Sequence, residues 1–111
     1  MSTPVLTVEQ MRQWEQSTWA SGRTEEEVIE SVGREIATVV TRLTQPGARI
    51  LILAGKGHNG DDARAALPHL AGREIKLLNI TNPGAQLQEL TEALRQNPDL
   101  VIDALFGIGL N

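Results

Sequence analysis

Cysteine is absent from the chain, and aromatic side chains make up only 3% of its 111 residues. Without thiols there is no disulfide, no thiolate nucleophile and no cysteine-based zinc site. With so few aromatics, aliphatic side chains must fill the core. Dense Lys/Arg runs are also missing, and the net charge is −4 with a pI near 5.1. There is thus no electrostatic footprint for a nucleic-acid backbone. The apolar runs are too short to span a bilayer. Met1-Ser2-Thr3-Pro4 lacks the basic-then-apolar pattern of a secretory leader. A cytoplasmic protein without nucleic-acid or membrane partners is expected.

What is present is ordinary for one soluble domain: 41% hydrophobic and 22% charged residues, with no internal repeat. The spacing of Thr7 and Gln10 predicts a capping box and a helix start. A weak stripe of Val8, Met11, Trp14 and Thr18 follows, ended by Ser21-Gly22. A second helix is predicted from Thr24, with Glu27 completing its capping box and Glu25 and Glu26 favouring the positive helix end. Val28, Val32, Ile36, Val39 or Val40, and Leu43 recur at helical spacing until Gln45-Pro46-Gly47.

The run Arg49–Ala54 reads as a strand covered on both faces. After a glycine-rich turn, Asp62 to Leu70 is predicted as a short helix that Pro68 kinks or ends. Glu74 to Ile80 is a second strand, Leu87, Leu90 and Leu94 mark another helix, and Asp99 to Phe106 is a third strand. Alternating strands and helices imply parallel βαβ units, an open Rossmann-like α/β fold. The chain stops just after an apolar strand, so the expectation is the front part of a larger domain. The uncovered apolar face would allow a homodimer.

Gly55, Gly57 and Gly60 fit G-x-G-x-x-G between a strand and a helix. Such glycines permit positive φ or close backbone approach, and the helix start attracts anions. The acid that holds a ribose in dinucleotide dehydrogenases is missing: Asn79, Thr81 and Asn82 stand there instead. Asp61 and Asp62 either repel a bare pyrophosphate or serve as helix caps. Asp103 lies within the apolar strand Leu100–Phe106. It is either a structurally bonded carboxylate or a ligand at the sheet's carboxyl edge. If the three strands are ordered 2-1-3, Asn59 and Asp103 flank one crevice, and two hard oxygen ligands suit an alkali or alkaline-earth cation. His58 is either an acid–base group or an exposed turn residue. Lys56 either meets a phosphate or is simply solvated. His69 is expected at the surface without a partner, and Trp14 and Trp19 are expected to pack.

Ala54-Gly55-Lys56-Gly57-His58-Asn59-Gly60, followed by Asp62, resembles the glycine-rich signature of the NAD(P)H-hydrate epimerase family, also called the YjeF N-terminal domain family. Val101–Asn111 resembles its second signature, at the family's interval. The resemblance covers nearly the whole chain. It implies a Rossmann-like three-layer α/β/α sandwich with a mainly parallel sheet. Residues 1–111 would be the N-terminal part of such a domain, with two helices over 7–44 and a βαβαβ core over 49–111. The implied activity is interconversion of the R and S forms of hydrated NADH and NADPH (NADHX and NADPHX), with a fused or separate dehydratase completing repair. Asn59 and Asp103 would be potassium ligands. His58, Asn59, Gly60, Asp61 and Asp62 would border the substrate, and Gly107, Ile108, Gly109 and Leu110 would begin a second substrate loop. Asp61 stands where the family usually has glycine, and Pro68 interrupts the following helix. The catalytic base is expected beyond residue 111. A non-catalytic nucleotide-binding or scaffold module of the same fold is the alternative.

Overall fold

The computed structural model describes residues 4–19, 22, 24–82 and 84–105. Phe106, Gly107, Ile108, Gly109, Leu110 and Asn111 lie outside the described residues, as do Ser21, Pro83 and the side chains of Val8, Thr18 and Trp19.

Four parallel strands form the sheet: β1 (Val5–Leu6), β2 (Arg49–Ala54), β3 (Glu74–Asn79) and β4 (Leu100–Ala104). Their order is β1-β4-β2-β3, so the three strands read from sequence stand in the 2-1-3 order. The fourth, β1, is an addition. Two residues are too few to show periodicity, and only pairing with β4, Val5 opposite Val101 and Leu6 opposite Ile102, makes them a strand.

Side chains of β2 alternate between two cores. Ile50, Ile52 and Ala54 join one, and Leu51 and Leu53 the other. The first core is closed by α1 (Val8–Trp19), α2 (Glu25–Leu43) and α3 (His58–Ala65), through Met11, Val28, Val32, Ile36, Val40 and Ala63. The second is covered by α4 (Leu87–Arg95), through Ala93 and Leu90. The molecule is therefore an α/β/α sandwich. The chain turns one way from β2 through α3 to β3, and back across β2 through α4 to β4. That reversal places the two connecting helices on opposite faces.

Both predicted capping boxes are formed. The Thr7 N–H donates to Gln10 Oε1 at 2.9 Å and the Gln10 N–H to Thr7 Oγ1 at 3.4 Å. The corresponding bonds between Thr24 and Glu27 are 3.0 and 3.2 Å. The carboxyl end of α2 receives Arg73, whose guanidinium donates to Thr44 O at 2.9 Å, a favourable cation at the negative helix end.

Several boundaries differ from the sequence reading. β3 ends at Asn79 and β4 at Ala104. Leu43, in the last turn of α2, is exposed, as are Leu87 and Leu94 of α4: the apolar spacing is real, but among the described residues α4 covers the second face of the sheet without a neighbouring helix. The largest revision concerns α3. It begins at His58, not Asp62, and gives way after Ala65 to a 3-10 turn over Leu67–His69 containing Pro68. Glycine disguised the true start, because three of the residues before Asp61 are poor helix formers.

Space, not backbone twist, explains two of those glycines. Among the described residues only Gly22, Gly47, Gly72 and Asn97 have positive φ. A Cβ on Gly55 would run into the Leu105 carbonyl oxygen, and one on Gly60 into the carbonyl oxygen of Gly55. Gly33 on α2 serves the same end, since its Cβ would lie 2.7 Å from that of Ala65. Gly60→Ala is therefore expected to cost about 3 kcal/mol, since backbone must shift. Gly47→Ala meets open space and should cost only about 1–2 kcal/mol for its positive φ. Urea denaturation of the two variants checks this; equal losses would show that the close approach is not limiting.

Candidate functional site

The turn between β2 and α3 lies at the carboxyl edge of the sheet, beside β4. The Gly55 N–H donates to Ala104 O at 2.8 Å, which continues the ladder between β2 and β4. Gly57 is the N-cap of α3 and has no side chain to cap it. The helix start thus presents backbone amides, under the positive end of the helix dipole, where an anion can approach. This corrects the expectation that Asp61 or Asp62 caps the helix. Both lie inside it, in helical conformation, so Asp61 bears no positive-φ strain.

The site residues read from sequence divide into three groups. Asn59 and Asp62 are fully buried, at 0% exposure, and Gly60 is buried between them. Lys56 and His58 are exposed and Asp61 is half-buried. His58 Nε2 lies 2.9 Å from Glu25 Oε1 on α2; in so exposed a pair the energy is small. Asp103 stands apart. It pairs in register with Leu53 and so leaves the sheet on the α4 side, whereas α3 lies on the other. One of its oxygens accepts the Leu105 N–H at 3.3 Å. Asn59 and Asp103 share the edge between β2 and β4 but not one face of the sheet. His69, expected without a partner, lies 3.1 Å from Glu30.

Two important residues escaped the sequence reading. Arg64 donates to Gly55 O at 2.8 Å, to Asn79 Oδ1 at 2.9 Å and to Asp61 Oδ1 at 3.1 Å. One guanidinium thereby braces the turn, the end of β3 and the carboxylate nearest the helix start, and it offsets the charge of Asp61. The signal available was its i,i+3 spacing from Asp61. The second is Glu15, 3% exposed on α1. It follows Met11 by four residues and so shares its buried face.

Burial drives the Asp62 carboxyl pKa up to about 10, with Glu15 and then Asp61 adding to the effect. As a carboxylate, Asp62 finds no donor for either oxygen. As an acid, its O–H can donate to Glu15. Asp62 is therefore held neutral at physiological pH, its carboxyl wholly buried.

Wide grooves of about 670 and 720 Å³ open elsewhere, at the amino ends of the strands, around Arg49, Glu74 and Pro98 and around Pro4, Pro46 and Asp99. Open parallel sheets bind ligands beyond the carboxyl ends of their strands, so the glycine-rich edge is the better candidate. No group of three or more His, Cys, Asp or Glu residues capable of holding a metal occurs among the described residues. No helix among them is long and apolar enough to cross a membrane.

A parallel α/β/α sandwich with an uncapped, glycine-lined helix start at its switch point defines the class of Rossmann-like α/β domains. Within that class, the chain belongs to the family described as YjeF-related protein N-terminus, whose model matches residues 25–92. The chain is 34% identical over 130 residues to the bifunctional NAD(P)H-hydrate repair enzyme Nnr of Methanospirillum hungatei, an alignment covering 95% of this chain and 27% of that protein. It is 35% identical over 126 residues to the NAD(P)H-hydrate epimerase of Achromobacter xylosoxidans, covering 97% and 59%. For the NAD(P)H-hydrate epimerase of Limosilactobacillus fermentum the figures are 37% over 81 residues, 57% and 39%. The chain thus spans between about a quarter and three fifths of these relatives' length. No solved structure gives a significant match.

With its folded-state pKa raised, Asp62 retains a proton between about pH 4 and 10 that the unfolded chain releases. Its contribution to stability is then fully present below about pH 4 and is lost as pH rises toward 10. Asp62→Asn keeps the shape and a donor toward Glu15 without that proton. It is expected to flatten the slope and to stabilise the fold at pH 8 by roughly 1–3 kcal/mol. Urea titrations from pH 5 to 9 measure this; an unchanged slope would show that Asp62 is ionised in the fold.

Proposed function

We propose that this chain carries the substrate-binding turn of an NAD(P)H-hydrate epimerase, which interconverts the R and S forms of NADHX and NADPHX. The observation that carries the reading is the family match across β2, the glycine-rich turn and α3, together with the names of the relatives. The amides that open α3 suit the substrate's diphosphate. Bracing by Arg64 holds those amides in place and reduces the repulsion from Asp61. His58 and the edge of the turn would border the phosphates and sugars. Asp62, turned inward, would support the turn and not touch the ligand.

Potassium is the proposed cofactor, with Asn59 and Asp103 as its ligands. An amide and a carboxylate are hard oxygen donors that fit an alkali ion, and both belong to the edge between β2 and β4. When bound, the ion supplies positive charge against the diphosphate. The residues of the turn supply orientation and exclude water at the helix start. A dehydratase, fused or separate, would consume the epimerised product; relatives named bifunctional support this.

The test is the rate of R-to-S exchange of NADPHX with and without potassium. Acceleration that requires potassium and falls by about 10- to 100-fold in Asp103→Ala, as loss of a metal-supporting residue does, is expected. Tight binding of the nucleotide with no acceleration at any potassium concentration would favour the alternative, a binding module. The half-buried charge of Asp61 beside the helix start is the observation behind that second reading. An Asp61→Gly variant separates the two: a large gain in exchange rate marks a weakened enzyme, and continued inactivity a module.

A further inference from the structure

The carboxyl end of β3 carries a polar bracket whose outward groups the proposed chemistry does not use. Arg64 Nε donates to Asn79 Oδ1 at 2.9 Å and Nη1 to Asp61 Oδ1 at 3.1 Å, while Nη2 is fixed on Gly55 O at 2.8 Å. One planar guanidinium thus sets a carboxylate of α3 beside an amide of β3 and orients both. Asn79 pairs in register with Ala54, so it leaves the sheet on the side where α3 packs. The bracket offers solvent one acceptor and one donor. Asp61 keeps Oδ2, on a side chain 45% exposed. Asn79 turns Oδ1 toward Arg64, which leaves its Nδ2 donor facing away, on an exposed residue. A hydroxyl both gives and takes a hydrogen bond and matches such a pair, whereas an ionised phosphate only accepts.

Donors that could hold a phosphate at this corner are already engaged. The Thr81 and Asn82 amides both donate to Gln86 Oε1, at 2.9 and 3.1 Å. Gln86 Nε2 in turn donates to Glu89 Oε1 at 3.0 Å, which sets a second carboxylate beside the loop. Asp61 offsets the charge of Arg64. In open α/β sheets that hold a diphosphate at the first glycine-rich turn, an acid at the end of the next strand receives the 2′-hydroxyl of the ribose. Here that strand is β3, and its last residue is Asn79, not an acid. We propose that Asp61, held at the strand end by Arg64, takes the place of that acid. With Asn79 it receives the hydroxyls of the adenosine ribose and selects NADHX over NADPHX. The diphosphate meets the amides of the helix start, but a 2′-phosphate would meet the Asp61 carboxylate. This selectivity rests on the turn's being the diphosphate site of the proposed epimerase.

Titration calorimetry of the full chain with ADP-ribose, its 2′-phosphate and inorganic pyrophosphate tests the selectivity and the turn separately. ADP-ribose has the diphosphate and adenosine ribose of NADHX, and its 2′-phosphate those of NADPHX. The wild type is expected to bind ADP-ribose about tenfold or more tightly than the 2′-phosphate, because like charges set against each other are disfavoured. Asp61→Asn keeps the size of a half-exposed side chain and removes its charge. The preference should then shrink to within about threefold or invert, since the Arg64 guanidinium is left free for the phosphate. Equal binding of the two nucleotides by the wild type, or tighter binding of the 2′-phosphate, overturns the proposal and leaves the diphosphate site standing. So does a tenfold preference that Asp61→Asn leaves unchanged, or binding of pyrophosphate with neither nucleotide bound. If none of the three binds, the diphosphate site itself fails, and the selectivity with it.

Discussion

The contact between the backbone of the turn and the end of β4 governs the rest of the site. Gly55 lies against the Leu105 carbonyl and Gly60 against the carbonyl of Gly55, with no room for a methyl group at either place. The chain leaves β2, touches the end of β4 at Gly55 and doubles back into α3 within a few residues. Because α3 starts at His58, tight against the sheet, its opening amides stand at the strand ends instead of one turn further out. The same compression buries Asn59 and drives Asp62 into the interior. The gap at Gly33 that lets α2 approach Ala65 completes the packing from behind.

Charge is arranged around this compact turn so that little of it stays uncompensated. Arg64 takes up Asp61 and fastens the turn to β3. Glu25 meets His58 at the surface. Asp62, wholly buried, is held in its neutral form chiefly by that burial. A negatively charged ligand approaching the helix start therefore faces less repulsion than the run of two aspartates suggests. The surface pairs contribute little energy, since water screens them; the buried acids matter more, because each unmatched oxygen there is costly.

Placement of the supporting elements follows from the reversal of direction at β2. One connecting helix lies on each face, and the edge between β2 and β4 is where the polypeptide parts. Asp103 reaches that edge from the α4 side and Asn59 from the other. Membership of the YjeF-related N-terminal family agrees with this architecture, and the glycine-rich turn sits inside the matched segment.

Much of the fold was legible from local rules. The apolar run Arg49–Ala54, the capping boxes at Thr7 and Thr24, and the stops at Gly47 and Gly72 depend on near neighbours, which the order of residues displays directly. The family, too, was readable from the turn and the segment near Asp103. Tertiary structure alone decided the remainder. Val5–Leu6 becomes a strand only because β4 is there to pair with it. Helix α3 begins among glycines because packing outweighs their poor propensity. Arg64 finds Asn79 across fifteen residues, and Glu15 and Asp62 become buried only when their helices pack. In each case the deciding energy is a contact or a desolvation that exists only after distant segments meet, and periodicity along a single chain carries no record of it.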